Sequence, residues 1–431
     1  MLSTCRRLRV LGLNGINIEV IPRTLSNISH LSYLDLSGNH VVEMLPESIT
    51  RLHNLQVLCL RSCWNLKELP KDLSTLVNLR QLDISYCNNL GQKPVGMETL
   101  TNLCKLARFV LGAVSSKQAH IGQLRDLIPL NNLRGQLEIY FRKGYMYDTT
   151  STEEETYLLN KKHIKELRIV EEDLHFHRDP FVIDERLLGR LEPHCDLMKI
   201  SIDRYTGIKL PSWGVTLGIS FPLLVKVSLK HFPRLQHLPP LSRLQHLKYL
   251  ELRHMLFLEY MEEGDNVAVV TSFPSLEELI LDDLPNMKIF PKYDAIVDLK
   301  SLLIDNVMLL TSLFGESLRS IRDLTLSHLE VEDLEFWTKL ENEEAMPWTT
   351  LHSLLVLRLG NVDQMVSQPS GIKYLNSLRS IDICFCGNFE IFPEWSQSLT
   401  SLRALIIQFC PKLKSLPEYI LPSLTELYIN N

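Results

Sequence analysis

Two histidines beside a run of acidic residues are the side chains in this sequence best suited to bind a metal. His175 and His177 follow an acidic triplet at 171–173. Two residues apart on an extended backbone, both imidazoles would face one side, and imidazole and carboxylate are ligands that zinc accepts. Two close histidines without a second ligand cluster are a weak zinc signal. We interpret the segment as a solvated loop and expect neither a metal nor another cofactor.

Serine, histidine, aspartate and cysteine are abundant, but their spacing does not predict catalysis. The sequence has no G-x-S-x-G nucleophile elbow and no Cys/His signature of a thiol nucleophile. A regular stripe of leucine is core material rather than a cofactor site. We therefore predict that the chain is not an enzyme.

Composition and charge narrow the class of protein. Hydrophobic residues make up 45% and charged residues 22% of the 431 residues, which excludes general disorder and collagen. The net charge of −6 argues against a nucleic-acid partner, which needs a basic face. No apolar run reaches the 18 residues of a membrane span. Nine cysteines, an odd number thinly spread, predict unpaired thiols in a reducing compartment, hence the cytoplasm.

A leucine pattern recurs along the chain with a period of 24 residues. Its first three copies are Leu31-Leu34-Leu36-Asn39, Leu55-Leu58-Leu60-Cys63 and Leu79-Leu82-Ile84-Cys87. They fit L-x-x-L-x-L-x-x-N/C, the leucine-rich repeat. Later copies begin at Leu224, Leu247, Leu276, Leu299, Ile321, Leu354, Leu378, Leu402 and Leu424. Prolines keep the same period at Pro22, Pro46, Pro70 and Pro94, and again at Pro393 and Pro417.

Each position of the repeat predicts a structural role. The central pair, two residues apart, points to one face of a short strand and enters the core, while its neighbours face outward. The Asn or Cys at the ninth position should satisfy backbone groups where the chain leaves the strand. Stacking about 17 such units predicts an α/β leucine-rich-repeat solenoid, a curved horseshoe with a parallel sheet on its concave face.

The regularity of the repeat divides the chain into three predicted segments. Residues 1–112 are regular repeats, and 113–196 are irregular repeats with an exposed acidic loop at 144–155. Strands are still predicted there at 137–139 and 167–169. Residues 197–431 are regular again, with an acidic insertion near 330–347. Insertions in a solenoid emerge as loops.

The outward positions of the strands are the candidate partner-binding residues. They can vary without harming the core, and aromatic and arginine side chains are the commonest interface anchors. Truncating Tyr249 or Arg253 should cost little stability, because outward side chains contact few neighbours. The set on the concave face is Tyr33, Asp35, Arg61, Asp83, Lys199, Asp203, Lys226, Lys230, Tyr249, Glu251, Arg253, Glu278 and Asp282, with Asp305 beyond it.

Several longer segments resemble one protein family in their amino-acid sequence and in their order along the chain. They are Leu31-Ser-Tyr-Leu-Asp-Leu-Ser37, Leu66-Lys-Glu-Leu-Pro-Lys-Asp-Leu73, Arg108-Phe-Val-Leu-Gly112, Leu130-Asn-Asn-Leu-Arg-Gly-Gln-Leu-Glu-Ile139, Leu210-Pro-Ser-Trp213 and Leu235-Gln-His-Leu-Pro-Pro-Leu241. Across the whole chain the sequence resembles the leucine-rich-repeat region of plant intracellular nucleotide-binding (NB-ARC) disease resistance proteins of the coiled-coil class.

The resemblance implies a protein-recognition module of plant innate immunity. Its partners would be a pathogen effector or a modified, guarded host protein, and a nucleotide-binding domain that the repeats restrain, in cis or in trans. Two alternatives share the repeat: a stand-alone scaffold or signalling adaptor, and the substrate-reading arm of an F-box ubiquitin ligase. The upstream reading frame would distinguish the three.

The phosphate-binding loop of the family is missing from this chain. That loop, G-x-x-x-x-G-K-[ST], holds phosphates with backbone amides and a lysine, and no Gly-Lys dipeptide occurs among the 431 residues. Repeats reach both ends without a polar cap, from which we expect a fragment, a truncated gene model or a degenerate receptor that aggregates when expressed alone.

Because the phosphate-binding loop is missing, the purified chain should neither bind nor hydrolyse ATP; micromolar affinity by calorimetry would contradict this.

Overall fold

A computed structural model describes most of the chain. The described residues are 5, 7–91, 96–112, 124–142, 145, 155–171, 183–261, 273–287, 299–307, 320–327, 348–362, 365–414, 416 and 424–430. His175, His177, most of the acidic loop at 144–155 and the acidic insertion near 330–347 lie outside them. The chain forms two compact units, Met1–Thr206 and Gly207–Asn431. The division into three segments stays a prediction.

The first unit is built from short parallel strands. They are β1 (Val10–Gly12), β2 (Tyr33–Asp35), β3 (Val57–Cys59), β4 (Gln81–Asp83), β5 (Lys105–Leu106), β6 (Arg108–Leu111), β7 (Gly135–Phe141), β8 (Ile164–Glu171) and β9 (Lys199–Asp203). Strands β1 to β5 pair in chain order, and so do β6 to β9. Sequential parallel pairing is the arrangement expected of stacked repeats.

The second unit repeats the design with longer strands. Its strands are β10 (Lys226–Lys230), β11 (His237–Leu238), β12 (Tyr249–Arg253), β13 (Tyr260–Met261), β14 (Glu278–Asp282), β15 (Ser301–Asp305), β16 (Asp323–Ser327), β17 (Val356–Gly360), β18 (Ser380–Cys384), β19 (Ala404–Gln408) and β20 (Glu426–Asn430). Strands β11 and β13 pair separately. The others pair in parallel and in chain order.

Short helical turns connect many of the strands. The α-helices are α1 (Glu185–Arg190), α2 (Ser212–Val215) and α3 (Leu217–Ser220). The 3₁₀ turns span Arg23–Asn27, Glu47–Arg51, Leu73–Thr75, Met97–Thr99, Leu124–Leu127, Leu241–Arg243, Trp348–Thr350, Ser370–Tyr374 and Glu394–Ser398. Pro22, Pro46 and Pro393 lie directly before such turns. Their fixed φ suits the first turn of a helix, which accounts for the proline period.

The register of the strands confirms the repeat. Each copy of the motif from Leu31 to Leu424 places a strand two residues after its first residue. Leu34, Leu58 and Leu82 lie opposite one another in neighbouring strands and are fully buried. The predicted parallel arrangement and inward leucines are therefore confirmed. The number of repeats stays a prediction.

The ninth position of the repeat satisfies backbone carbonyls, as predicted. The Asn39 amide donates to the carbonyls of Leu13 and Leu36, at 2.8 and 2.7 Å, and its oxygen accepts from the Ile18 N–H at 3.0 Å. The Cys63 thiol donates to the Leu36 carbonyl at 3.3 Å. Cys87, Cys386 and Cys410 make the equivalent bond one repeat back. These thiols have a structural role.

Asn39→Ala should destabilise the fold more than Cys63→Ala. Both side chains are fully buried, but alanine at 39 removes the partner of one buried and two partly buried backbone groups, whereas a thiol is a weak donor. We expect a loss of about 2–4 kcal/mol at Asn39, from roughly 1–3 kcal/mol for each group left unsatisfied with partial relaxation. Urea unfolding of the two variants measures the difference, and equal losses would contradict the assigned role.

A second ladder, which the repeat motif does not specify, joins successive loops. The side-chain amides of Asn54, Asn78 and Asn102 donate to the carbonyls of Ser29, His53 and Val77, each about one repeat back, at 2.8–2.9 Å. Asn132 bonds Thr101 in the same way. In the sequence, the 24-residue spacing of Asn54, Asn78 and Asn102 is the feature that indicates this ladder. The stacked backbone is thus fixed on the loop side as well as along the strands.

Candidate protein-recognition surface

Outward side chains of adjacent strands form rows across the sheet. In the second unit Lys226 of β10 lies opposite Tyr249 of β12, which lies opposite Glu278 of β14. Strand Cα atoms in such a ladder are about 4.8 Å apart, so outward residues in one row touch. The strands alternate buried and partly exposed residues along much of their length. The rows present a continuous surface whose chemistry the core does not dictate.

At the start of the first unit, two of the candidate residues close turns. Asp35 accepts the Ser37 backbone N–H at 2.9 Å, and Asp83 accepts that of Ser85 at 3.0 Å. Both carboxylates therefore stabilise the chain as it leaves the strand, an Asx-type bond. Tyr33 lies partly exposed on β2. Each remains on the outward face.

Arg61 lies in the turn beyond β3 rather than on the strand. It is exposed, and its guanidinium lies 5.2 Å from the centroid of the Tyr86 ring. Nearby, the rings of His40 and Trp64 stack with centroids 3.9 Å apart. Trp64 and Tyr86 are about half exposed. Aromatic and arginine side chains thus gather on the turns after β2 to β4, which the strand pattern alone did not indicate.

A buried carboxylate sits among cations on β6 to β8. Glu138, 7% exposed, accepts Nε of Arg108 at 2.7 Å and Nη1 of Arg168 at 3.2 Å. The Arg108 guanidinium also lies 4.6 Å from the Tyr140 ring centroid. Sequence reasoning missed this cluster, because the repeat is weakest here. The feature that could have indicated the cluster is that its three charged residues lie opposite one another in neighbouring strands.

Strand β9 carries two further candidate residues. Lys199 is exposed, and its ammonium lies 3.4 Å from Glu166 of β8. Asp203, at the other end of β9, is partly exposed. An exposed ion pair of this kind adds little stability, so Lys199 keeps its side chain available to solvent.

Glu251 forms the centre of the surface in the second unit and is not exposed. We expected an outward side chain, but only 4% of Glu251 is accessible. Its carboxylate accepts from Ser228 Oγ at 2.8 Å, Lys230 Nζ at 2.9 Å and Arg253 Nε at 2.6 Å. The residue does point out of the sheet, but side chains from β10 and β12 cover it. Glu251 therefore positions its neighbours rather than offering itself to a partner.

The surroundings of Glu251 fix its protonation state. Burial by itself would raise the pKa of this carboxyl, but the hydrogen bonds from Lys230, Ser228 and Arg253 outweigh burial and lower the pKa to about 2. The group is thus ionised at neutral pH. Charge-assisted bonds of this kind are short and hold their partners in place.

Tyr249 and Arg253 have more contacts than expected. The Tyr249 hydroxyl lies 3.2 Å from a Glu251 oxygen, and burial, then the nearby Glu251 charge, raise the pKa of Tyr249 to about 12. The Lys226 ammonium lies 3.7 Å from the Tyr249 ring centroid, a cation–π contact. Arg253 also pairs with Asp282 of β14. The expectation that outward residues contact few neighbours is wrong here, because the pairs cross between strands.

The next strands present acidic and apolar side chains. Glu278 of β14 is exposed, and Asp282 and Asp305 lie opposite each other at the other end of β14 and β15. At the middle of the two strands, Ile280 and Leu303 form a partly exposed apolar pair. Charge therefore changes sign from β10 to β14.

One group of side chains in the described part of the chain has a geometry that a metal could use. Ligand atoms of His194, Cys195 and Asp196 lie within 4.8 Å of one another. His194 Nδ1 already accepts the Asp196 N–H at 3.2 Å, and Lys165 lies 3.6 Å from the Asp196 carboxylate. A cation beside the carboxylate and a ring nitrogen used by the backbone do not favour a metal ion.

No helix in the described residues is both long and apolar enough to cross a membrane. The short turns and α1 to α3 connect strands instead.

Comparison with known proteins finds relatives of one kind. The chain is 39% identical over 282 residues to the disease resistance protein RGA1 of Solanum bulbocastanum, which covers 65% of this chain and 27% of that protein. It is 28% identical over 324 residues to the disease resistance RPP13-like protein 1 of Arabidopsis thaliana, covering 66% and 30%. The chain thus spans about a third or less of these relatives.

Among solved structures, a leucine-rich-repeat protein of Leptospira interrogans matches with 20% identity and a TM-score of 0.48, over 100% of this chain and 92% of that one. The family profile described as "Leucine-rich repeat region" matches residues 1–346. With the repeat register and relatives that are plant disease resistance proteins, this identifies the chain as a member of the leucine-rich-repeat region family of such proteins.

Proposed function

We propose that this chain is the protein-recognition module of a plant immune receptor. The observation that carries the proposal is the outward face of the strands within each unit. There a covered carboxylate, Glu138 in the first unit and Glu251 in the second, pairs with lysine and arginine side chains, and Glu251 also accepts from Tyr249. Such a surface suits contact with another protein, since arginine and tyrosine anchors held in place lose little entropy on binding. The disease resistance relatives support the immune context.

The partners follow from the same proposal. One is a pathogen effector or a host protein that an effector has modified; the other is a nucleotide-binding domain in cis or in trans, which the repeats restrain. The site of action is the cytoplasm. No chemistry on a substrate is part of the proposal: the module acts by binding.

A receptor chimera tests this function. The matching segment of RGA1 is replaced by this chain, and the chimera is expressed in leaves with and without effector candidates. We expect it to stay inactive alone and to trigger cell death with a particular effector or modified host protein. A matched chimera carrying Leu82→Ala controls for folding. Constitutive cell death equal to that of a repeat-deleted receptor would contradict restraint, and silence with every candidate would contradict recognition.

A further inference from the structure

We propose that the outward face of β10, β12 and β14 binds an extended protein segment in which an acidic and a basic side chain lie about three residues apart. The inference rests on the proposed function, because it names the chemistry of the segment that the recognition module takes. It concerns the second unit alone.

The distribution of charge on this face selects the two side chains. Strand β10 presents Lys226 and Lys230, while β14 presents Glu278 and Asp282. Of the outward charged groups on β10 and β12, three are cations and one is the covered carboxylate at 251. The two strands together are therefore positive, and β14 is negative. An acidic side chain is attracted over β10 and a basic one over β14.

The distance between the two charges sets the spacing in the partner. Neighbouring strands lie about 4.8 Å apart, so β10 and β14, with β12 between them, are separated by about 10 Å. An extended chain advances about 3.3–3.6 Å per residue. A segment crossing the strands therefore needs about three residues to bring its acid over β10 and its base over β14.

The carboxylate at 251 is hard to explain by the fold alone. The same central outward position holds Ser228 on β10, Ile280 on β14 and Leu303 on β15, so the repeat does not require a charge there. Buried ion pairs are weak contributors to stability compared with apolar packing. What Glu251 does is fix Lys230 and Arg253, which lowers the entropy that these side chains would lose on binding.

The neighbouring apolar pair suits the basic side chain. Ile280 and Leu303 lie side by side between Glu278 and Asp305 and are partly exposed. Lysine and arginine bury their aliphatic stems on apolar surface and keep the charged group at its edge. A basic residue of the partner can therefore lie across Ile280 with its charge at Glu278.

Selection from a displayed library of random linear peptides about 12 residues long, which span this face when extended, tests the proposal. The full chain and three variants are the baits. Lys226→Gln with Lys230→Gln removes the two cations of β10, and Lys226→Glu reverses the charge of one of them without placing a new carboxylate beside Glu251. Lys412→Glu with Lys414→Glu is the control, because both lysines are exposed on a loop of the same unit. Thermal melts first establish that each variant is folded.

We expect the chain and the control to enrich peptides with an acid and a base about three residues apart. Their binding should weaken about tenfold in the double Gln variant and fall as salt rises. Lys226→Glu should shift the selection toward peptides with a base in place of the acid. Peptides without this pairing, or the same peptides selected by all baits, would overturn the proposal.

The outcome is separable from that of the receptor chimera. If the chimera recognises an effector but peptide binding does not depend on Lys226 and Lys230, the proposed function is supported and this assignment of the surface is contradicted. Peptides of the expected pattern combined with an inactive chimera would do the reverse.

Discussion

Leu82→Ala should lower the free energy of unfolding by about 2–5 kcal/mol. Leu82 is 0% exposed and stacks between Leu58 of the preceding strand and Leu106 of the next. Alanine removes the transfer free energy of the lost methyl groups and leaves a cavity between neighbouring repeats, and both effects destabilise. Leu58→Ala, at the equivalent position one repeat earlier and also 0% exposed, should cost a similar amount.

Urea unfolding at pH 7 measures this, with Val77→Ala as the matched control. Val77 lies five residues before Leu82 and is also truncated at an aliphatic side chain, but it is 50% exposed, so its loss should be below about 1 kcal/mol. Tyr249 and Arg253, where the sequence predicts little loss of stability on truncation, are unsuitable as controls because they contact Glu251. Equal losses at Leu82 and Val77 would mean that the inward and outward positions are wrongly assigned.

The positions that the sequence predicted well are those set by local spacing. Leu58 and Leu82 are two residues from the next inward side chain, and strands of period two allow no other face. Cys63 and Cys87 likewise follow their strands at a fixed offset and bond the carbonyl one repeat back. In these cases the contacts that fix the side chain lie within one repeat or between adjacent repeats, so the 24-residue period of the sequence predicts them directly.

What the sequence did not predict depends on contacts across strands. Glu251 is covered because Ser228 and Lys230 come from another strand, in a register that no single repeat reveals. The Glu138 cluster was missed for a second reason. Its strands, β7 and β8, are seven and eight residues long, the longest of the described strands, yet their sequences fit the repeat poorly. The repeat motif specifies where the chain turns into the core. The length of a strand depends instead on how it pairs with its neighbours, which the motif does not specify.

Glu251→Gln should destabilise the chain at neutral pH and remove part of its acid sensitivity. Glutamine keeps the shape but loses the charge that Lys230 and Arg253 surround, so these two cations repel each other with less compensation. The pKa of Glu251 is about 2 in the folded protein against an ordinary 4.5. Above pH 4.5 the folded and unfolded carboxyls are both ionised, and the full stabilisation, at most about 3 kcal/mol, is present.

The sign of the pH effect follows from which state takes up the proton first. As pH falls from about 4.5 toward 2, the unfolded chain binds the proton at Glu251 before the folded chain does, so stability is lost across that window. The glutamine variant has no proton to bind there. The difference in unfolding free energy between wild type and variant should therefore be the same at pH 7 and pH 5.5 and become smaller by pH 3.5.

Because the other carboxyls titrate in both proteins, the difference between the two curves isolates Glu251. Glu277→Gln is the informative control: hydrogen bonds from Lys248 and Lys300 lower the pKa of Glu277 to about 2 as well, but its side chain is 27% accessible against 5% for Glu251. Solvent screens an exposed pair, so the same substitution there should change stability much less. Urea unfolding of all three proteins between pH 7 and pH 3.5 decides the matter. Parallel curves for wild type and Glu251→Gln would show that the carboxylate is not held by its cations, and the fixed arrangement of Lys230 and Arg253 on the recognition face would then lose its physical basis.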